Sequence, residues 1–108
     1  MKHLKTFEYV VFLRDLNIGD YVLIDENNKY SHDLKSPQWI FINNTVGKIV
    51  NIDKYTKSVK IEYENISDNI KIFFIDEKFL TMSSAKIKYH AKTKEEVEAM
   101  IAMENYNL

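Results

Sequence analysis

Ser58-Val59-Lys60-Ile61-Glu62-Tyr63-Glu64 alternates strictly between apolar and polar side chains. A repeat of two belongs to a β-strand, whose successive side chains point to opposite faces. Val59, Ile61 and Tyr63 therefore face one way, and Ser58, Lys60, Glu62 and Glu64 the other. One face is expected to be buried and the other wet, as in an antiparallel sheet; a parallel strand would be apolar on both sides. A slip of one residue would exchange the two sets, so the alternation also sets the register.

Upstream, the turn Lys54-Tyr55-Thr56-Lys57 joins this strand to another over residues 45–53, where Gly47 marks a bulge or a close backbone approach. Gln38-Trp39-Ile40-Phe41-Ile42, ended by Asn43-Asn44, is expected to be a further strand. Gly19-Asp20 opens Tyr21-Val22-Leu23-Ile24-Asp25-Glu26, a β-branched run stopped by Asn27-Asn28. Downstream, residues 70–75 and 86–90 supply the later strands. At the start of the chain, Phe7, Tyr9, Val11 and Leu13 alternate as in a strand, while Leu4, Phe7, Val10 and Val11 also fit a helix face. β-Branched and aromatic enrichment favours the strand, and both readings stay open.

The period changes at Thr93-Lys94-Glu95-Glu96, a capping box in which hydroxyl and carboxylate each reach a free backbone N–H. Val97, Met100, Ile101 and Glu104 then fall on one side at helical spacing, so a helix is expected over 93–104, with Asn105 as a left-handed stop. So short a helix does not hold in isolation, and its apolar stripe must dock on the sheet. The fold class is therefore mainly β (α+β), a single domain over residues 1–108 with a docked C-terminal helix.

A chain of 108 residues buries enough surface to fold without staples, and the absence of cysteine excludes disulfides and thiolate metal sites. Fifteen basic residues against sixteen acidic ones lack the basic excess of a general polyanion binder. The opening residues lack the apolar core and cleavage site of a signal peptide, and no apolar run approaches the ~20 residues of a membrane span. A soluble chain in the cytoplasm, with no membrane partner, is the expectation.

Four stretches taken in order, Gly19-Asp20-Tyr21-Val22-Leu23-Ile24, Val46-Gly47-Lys48-Ile49-Val50, Val59 through Glu64, and Lys86-Ile87-Lys88-Tyr89, carry a resemblance. Together they resemble a small Src-homology-3-type barrel of the KOW and Tudor kind, over residues 18–90. The resemblance implies a partly open antiparallel barrel that binds nucleic acid, methylated side chains or extended peptides. It also places a tight helical turn at Met82-Ser83-Ser84-Ala85, before the last strand. Residues 27–45 depart from that pattern, replacing a short Gly-rich loop with an insertion that carries the extra strand around Trp39. With Gly19-Asp20-Tyr21-Val22-Leu23-Ile24, Tyr63-Glu64-Asn65-Ile66 and the ending from Thr93-Lys94-Glu95-Glu96 to Asn105-Tyr106-Asn107-Leu108, the chain also resembles small proteins of AT-rich tailed phages. That resemblance implies an origin, with host cytoplasm as the location, and no assigned activity.

Enzyme signals are close to absent: two glycines build no dinucleotide cradle, and there is no nucleophile elbow or His-Glu-x-x-His. His3, His32 and His90 lie too far apart for metal-ligand spacing, so no cofactor and no metal are expected. Asp76-Glu77 and Glu62/Glu64 are better read as solvated carboxylates than as a catalytic pair, which needs a dry pocket. Most of the aromatic residues are wanted for the core of a small barrel. Trp39, beside Pro37 in the insertion, is the expected interface anchor, with Tyr30, Phe41 and Tyr55 as companions in a protein-binding surface. Lys48, Lys54, Lys57 and Lys60 cluster about one hairpin and are the alternative, nucleic-acid-binding set, with Tyr55 stacking on a base. Asp53, Glu62 and Glu64 lie among them and blunt a phosphate site. A non-enzymatic protein-interaction module is the leading expectation, acting on a host or viral assembly such as a defence system; a nucleic-acid-binding KOW-like barrel is the alternative.

Overall fold

The computed structural model describes residues 13–26 and 36–106. Five strands, β1 (Tyr21–Ile24), β2 (Gly47–Asp53), β3 (Ser58–Glu62), β4 (Phe79–Ser83) and β5 (Ile87–Ala91), form one open sheet. They lie in the order β4-β3-β2-β1-β5 with every neighbouring pair antiparallel. The described residues also form two helices, α1 (Pro37–Asn44) and α2 (Lys94–Tyr106), with short 3₁₀ turns at Leu13–Asp15, Lys71–Phe73 and Ser84–Lys86.

β3 behaves as its alternation requires. Val59, Ile61 and Tyr63 are buried, while Lys60 and Glu62 are half-exposed on the opposite face. The Lys60 ammonium sits 4.5 Å from the centroid of the Phe79 ring, and Glu62 pairs with Lys78 at 3.8 Å. The inner face of the sheet holds the main core, Val22, Ile24, Ile49, Val59, Ile61 and Ile87, closed by Ile42 of α1 and by Ile66, Ile70 and Phe74 of the β3–β4 connection.

The turn before β1 is built on Gly19 and Asp20. Gly19 takes φ 99°, a left-handed conformation that costs other residues a Cβ clash. The buried Asp20 carboxylate accepts from the Asn17 N–H at 3.0 Å. In β2 the irregularity falls between Ile49 and Asn51, so the bulge is at Val50. Gly47 instead marks a close approach: a Cβ there would overlap Ile61 Cγ2 and lie 2.9 Å from the Tyr63 ring.

Two expected strands are corrected. Residues 38–42 are not an inserted strand but part of α1. Pro37 in its first turn brings a φ already suited to a helix and loses no useful N–H. The apolar run then divides at helical spacing: Ile42 is buried, Trp39 and Phe41 pack half-buried against the core, and Ile40 points outward. Asn43 ties the helix to the end of β1, accepting from the Glu26 N–H at 2.9 Å. Residues 70–75 are likewise not a strand. Ile66, Ile70 and Phe74 are buried at intervals of four, with the 3₁₀ turn Lys71–Phe73 between them, and the fourth strand lies further on at Phe79–Ser83. The chain reverses between the two at Asp76 and Glu77, both with positive φ, where the Lys78 N–H donates to the Ile75 carbonyl at 3.1 Å. The helical turn expected at residues 82–85 falls at Ser84–Lys86, where the Ala85 N–H donates to Ser83 Oγ at 3.2 Å.

α2 packs on β5 and β1. Val97 is buried, Met100, Ile101 and Glu104 are half-buried, and the remaining positions face solvent, so the stripe docks as its spacing requires. Leu23, on the face of β1 opposite Val22 and Ile24, is buried too, which makes β1 the strand covered on both sides. Thr93 Oγ accepts from the Glu96 N–H at 3.2 Å and donates to the Glu96 carboxylate at 3.0 Å. Thr93→Ala is expected to cost about 1 kcal/mol in urea unfolding with the helix still formed. The helix runs through Asn105 to Tyr106, one residue past the expected stop.

Glu104 pins the far end of α2. Its carboxylate accepts from Lys88 Nζ and from the Tyr89 hydroxyl, each at 2.5 Å. Those hydrogen bonds hold the carboxyl below its ordinary range, Lys88 contributing most. A depressed carboxylate stabilises the fold above its unfolded value, near 4.3, and the gain disappears as pH falls through the lower folded value. Glu104→Gln should therefore cost about 1 kcal/mol at neutral pH, a charged hydrogen bond discounted for partial exposure. The difference from wild type should begin to narrow as pH falls below the unfolded value and close through the lower folded one.

The N-terminal segment whose strand and helix readings stay open lies outside the described residues, except that Leu13 belongs to a 3₁₀ turn. Among the described residues no helix is long and apolar enough to cross a membrane.

Candidate functional site

The antiparallel register sets Tyr21 opposite Lys48, and Lys48 opposite Glu62, in one row across the outer faces of β1, β2 and β3. The Lys48 ammonium stands 6.0 Å from the centroid of the Tyr21 ring, at the outer limit of a cation–π contact. This row floors a cleft of about 390 Å³. Its walls come from the chain leaving β3, with Glu64 and Asn65; from the end of α1, with Phe41, Thr45 and Val46; and from Lys94 at the start of α2. Asn65 takes φ 59°, a left-handed conformation that Asn tolerates better than most residues. A neighbouring opening of about 290 Å³ shares Thr45, Val46 and Lys94 and adds Asn44, Glu98 and Ile101, so the groove continues between α1 and α2.

The aromatic wall is held firmly. Phe41 meets Tyr63 edge-on at 5.8 Å and Phe74 at 6.1 Å, and those two rings meet each other at 5.8 Å. Edge-to-face pairs of this kind are worth about 0.5–1.5 kcal/mol each beyond their buried area. Burial pushes the Tyr63 phenol well above its ordinary pKa, and its hydroxyl has no hydrogen-bond partner. The ring serves as packing behind Phe41 and supplies no acid.

The cleft is lined by ammonium groups and carboxylates together, Lys48 and Lys94 against Glu62 and Glu64, with the Asn65 amide and the rings of Tyr21 and Phe41. It offers hydrogen-bond donors and acceptors side by side, with some apolar surface. Among the described residues no group of three or more His, Asp or Glu side chains is placed to hold a metal ion.

The structure divides the residues expected to bind. Phe41 and Lys48 come together in the cleft. Trp39 packs half-buried against the core, away from the cleft lining. Tyr55 stands 99% exposed at the tip of the β2–β3 hairpin, between Lys54 and Lys57. Lys60 lies over the Phe79 ring on the outer face of β3, the face that also carries Lys48 on β2, while Lys54 and Lys57 sit at the hairpin tip. Tyr30 falls outside the described residues. Glu62 and Glu64 are read from the sequence as solvated carboxylates, and Tyr21, Asn65 and Lys94 are not singled out by it as binding residues. The one signal for them was indirect: Tyr21 opens a strand on its outer side, and Lys94 follows the helix cap.

No protein-family model matches the chain, and no curated protein or solved structure matches it either.

Proposed function

We propose that the protein is a non-enzymatic interaction module built on a Src-homology-3-type barrel, and that its cleft takes an extended polypeptide segment of a protein partner. Two features support the barrel part of this reading: the strand order β4-β3-β2-β1-β5, and the 3₁₀ turn Ser84–Lys86 directly before the last strand. The mixed lining of the cleft carries the ligand class. A peptide presents N–H and C=O groups with side chains of either sign, and Lys48, Lys94, Glu62, Glu64 and Asn65 can answer all of them. A nucleic-acid backbone presents one sign only, and Glu62 and Glu64 would repel it. The resemblance to small phage proteins gives the partner a class, a host or viral protein in the host cytoplasm whose assembly or defence role the module modulates.

A photoreactive side chain in place of Glu64, which is exposed at the cleft, tests this in the native host. The expected result is a nuclease-resistant adduct with one protein, absent when the probe is moved to Thr81. Lys48→Glu with Lys94→Glu should weaken that partner's binding at least about tenfold. A nuclease-sensitive adduct, or equal labelling from Thr81, would overturn the proposal.

A second reading rests on Tyr55, fully exposed between Lys54 and Lys57 in a position to stack on a base. Binding through this tip would fall steeply with salt. No binding to mixed-sequence DNA or RNA is expected at physiological salt. Micromolar binding there, lost in Lys54→Glu/Lys57→Glu, would replace the peptide reading with this one.

A further inference from the structure

β3 separates two exposed surfaces of opposite character. At its start, the hairpin tip presents Lys54, Tyr55 and Lys57 to solvent. The tip is well ordered by its own hydrogen bonds: Asp53 Oδ1 accepts from the N–H groups of Tyr55 at 2.9 Å and Thr56 at 3.2 Å. The Lys57 carbonyl accepts from the Ser84 N–H at 2.9 Å. The one carboxylate nearby is thus engaged in the turn, and the Tyr55 ring is held out between two ammonium groups.

At the other end of β3, the connection to β4 exposes Ile72 at 86%, Phe73 at 55% and Ile75 at 51%. These apolar side chains are presented on a pinned segment, because Ile66, Ile70 and Phe74 anchor it to the core. The exposed carboxylates of Asp76 and Glu77 follow directly, fixed by left-handed backbone at both residues. The nearby ammonium groups are already engaged, Lys71 with Asp68 at 3.0 Å and Lys78 near Glu62 at 3.8 Å. The patch is therefore apolar with an acidic rim, and the hairpin tip is aromatic with a basic rim.

We propose that a second copy of this chain occupies the patch. The tip of one copy docks on the β3–β4 connection of the next, with Tyr55 against Ile72, Phe73 and Ile75, and Lys54 and Lys57 facing Asp76 and Glu77. One molecule does not satisfy itself, since the two surfaces lie at opposite ends of a five-residue strand, roughly 17 Å apart. The contact joins unlike surfaces, so it either closes into a two-fold dimer that makes it twice or runs head to tail into rings or chains. An acidic rim disfavours an anionic membrane or a nucleic acid at the same patch. The cleft takes no part, so this proposal and the peptide-binding one stand or fall separately.

Sedimentation equilibrium of the full chain up to about 1 mM, at low and physiological salt, tests it; contacts well below the usual interface size are populated in that range. Weight-average mass should rise with concentration to that of a dimer or beyond, and fall as salt is added. Lys54→Glu/Lys57→Glu and Asp76→Lys/Glu77→Lys should each be monomeric, and the chain carrying all four substitutions should regain association. All four residues are exposed, and a circular dichroism melt checks that each variant stays folded. A monomeric wild type would overturn the proposal. So would association that survives either reversal, or that the fourfold variant fails to restore.

Discussion

Gly47→Ala should destabilise the protein by about 3 kcal/mol, the upper end of the usual cost of overpacking, and lower its thermal midpoint by roughly 15 °C. Gly47 opens β2 and is buried, paired across the ladder with Val22. A methyl group there would overlap Ile61 Cγ2 and lie 2.9 Å and 3.1 Å from two carbons of the Tyr63 ring. Neither neighbour has room to yield. Ile61 is fully buried and β-branched, so its χ1 is stiff. Tyr63 is wedged edge-on between Phe41 and Phe74. The cost is steric and owes nothing to backbone strain, because Gly47 does not occupy the left-handed region. Because Phe41 lines the cleft, a shift of Tyr63 to make room would also be felt there. Urea unfolding of the variant measures the effect, and a change below about 0.5 kcal/mol would show that the close approach is not a constraint.

Legibility in the sequence followed the physics of each segment. β3 was readable because its two faces differ in kind, Val59, Ile61 and Tyr63 against Lys60 and Glu62. α2 was readable because Thr93 and Glu96 announce its start before the apolar stripe begins. Residues 39–42 are apolar without interruption, so strand and helix fit them equally by pattern. The signal that separates them is Pro37 after Ser36, a helix-start pair. In residues 66–75 the inward side chains recur every four residues, but Ile72, Phe73 and Ile75 are equally apolar and mask that spacing. Here composition misleads, since exposed apolar residues carry the same signature as buried ones.

The cleft was legible only in part. Phe41 was singled out for its ring and Lys48 for its charge, and the cleft holds both. Tyr21, Glu62 and Lys94 lie far from one another along the chain, and it is the ladder register that places Tyr21 and Glu62 on either side of Lys48. A register of this kind follows from which strands pair, and the pairing of β1 with both β2 and β5 is a tertiary fact. Trp39, an expected interface anchor for its singularity and its neighbour Pro37, is carried by a helix beginning at Pro37 that leaves the indole half-buried against the core and half open to solvent.

Ile61→Ala should cost about 4 kcal/mol, because the side chain is fully buried in a strand flanked on both sides and the surroundings collapse only partly into the space it leaves. The more telling quantity is its coupling to Gly47. Ile61→Ala removes the Cγ2 methyl that a Cβ at position 47 would strike, so each substitution relieves part of the other's defect. The double variant Gly47→Ala/Ile61→Ala should be less destabilised than the sum of the two by about 2 kcal/mol, within the range for residues in direct contact. Some penalty remains, because the Tyr63 ring still stands against the new methyl. Val97→Ala supplies the control: Val97 is the buried residue of α2, which packs on the other face of the sheet, and its cost should simply add to that of Gly47→Ala. Strict additivity in the first pair would mean that Gly47 is required for some reason other than the approach of Ile61. Coupling in the control pair would instead mean that the sheet transmits strain from one face to the other. In that case the two layers, core on one side and α2 on the other, would have to be treated as a single packing unit.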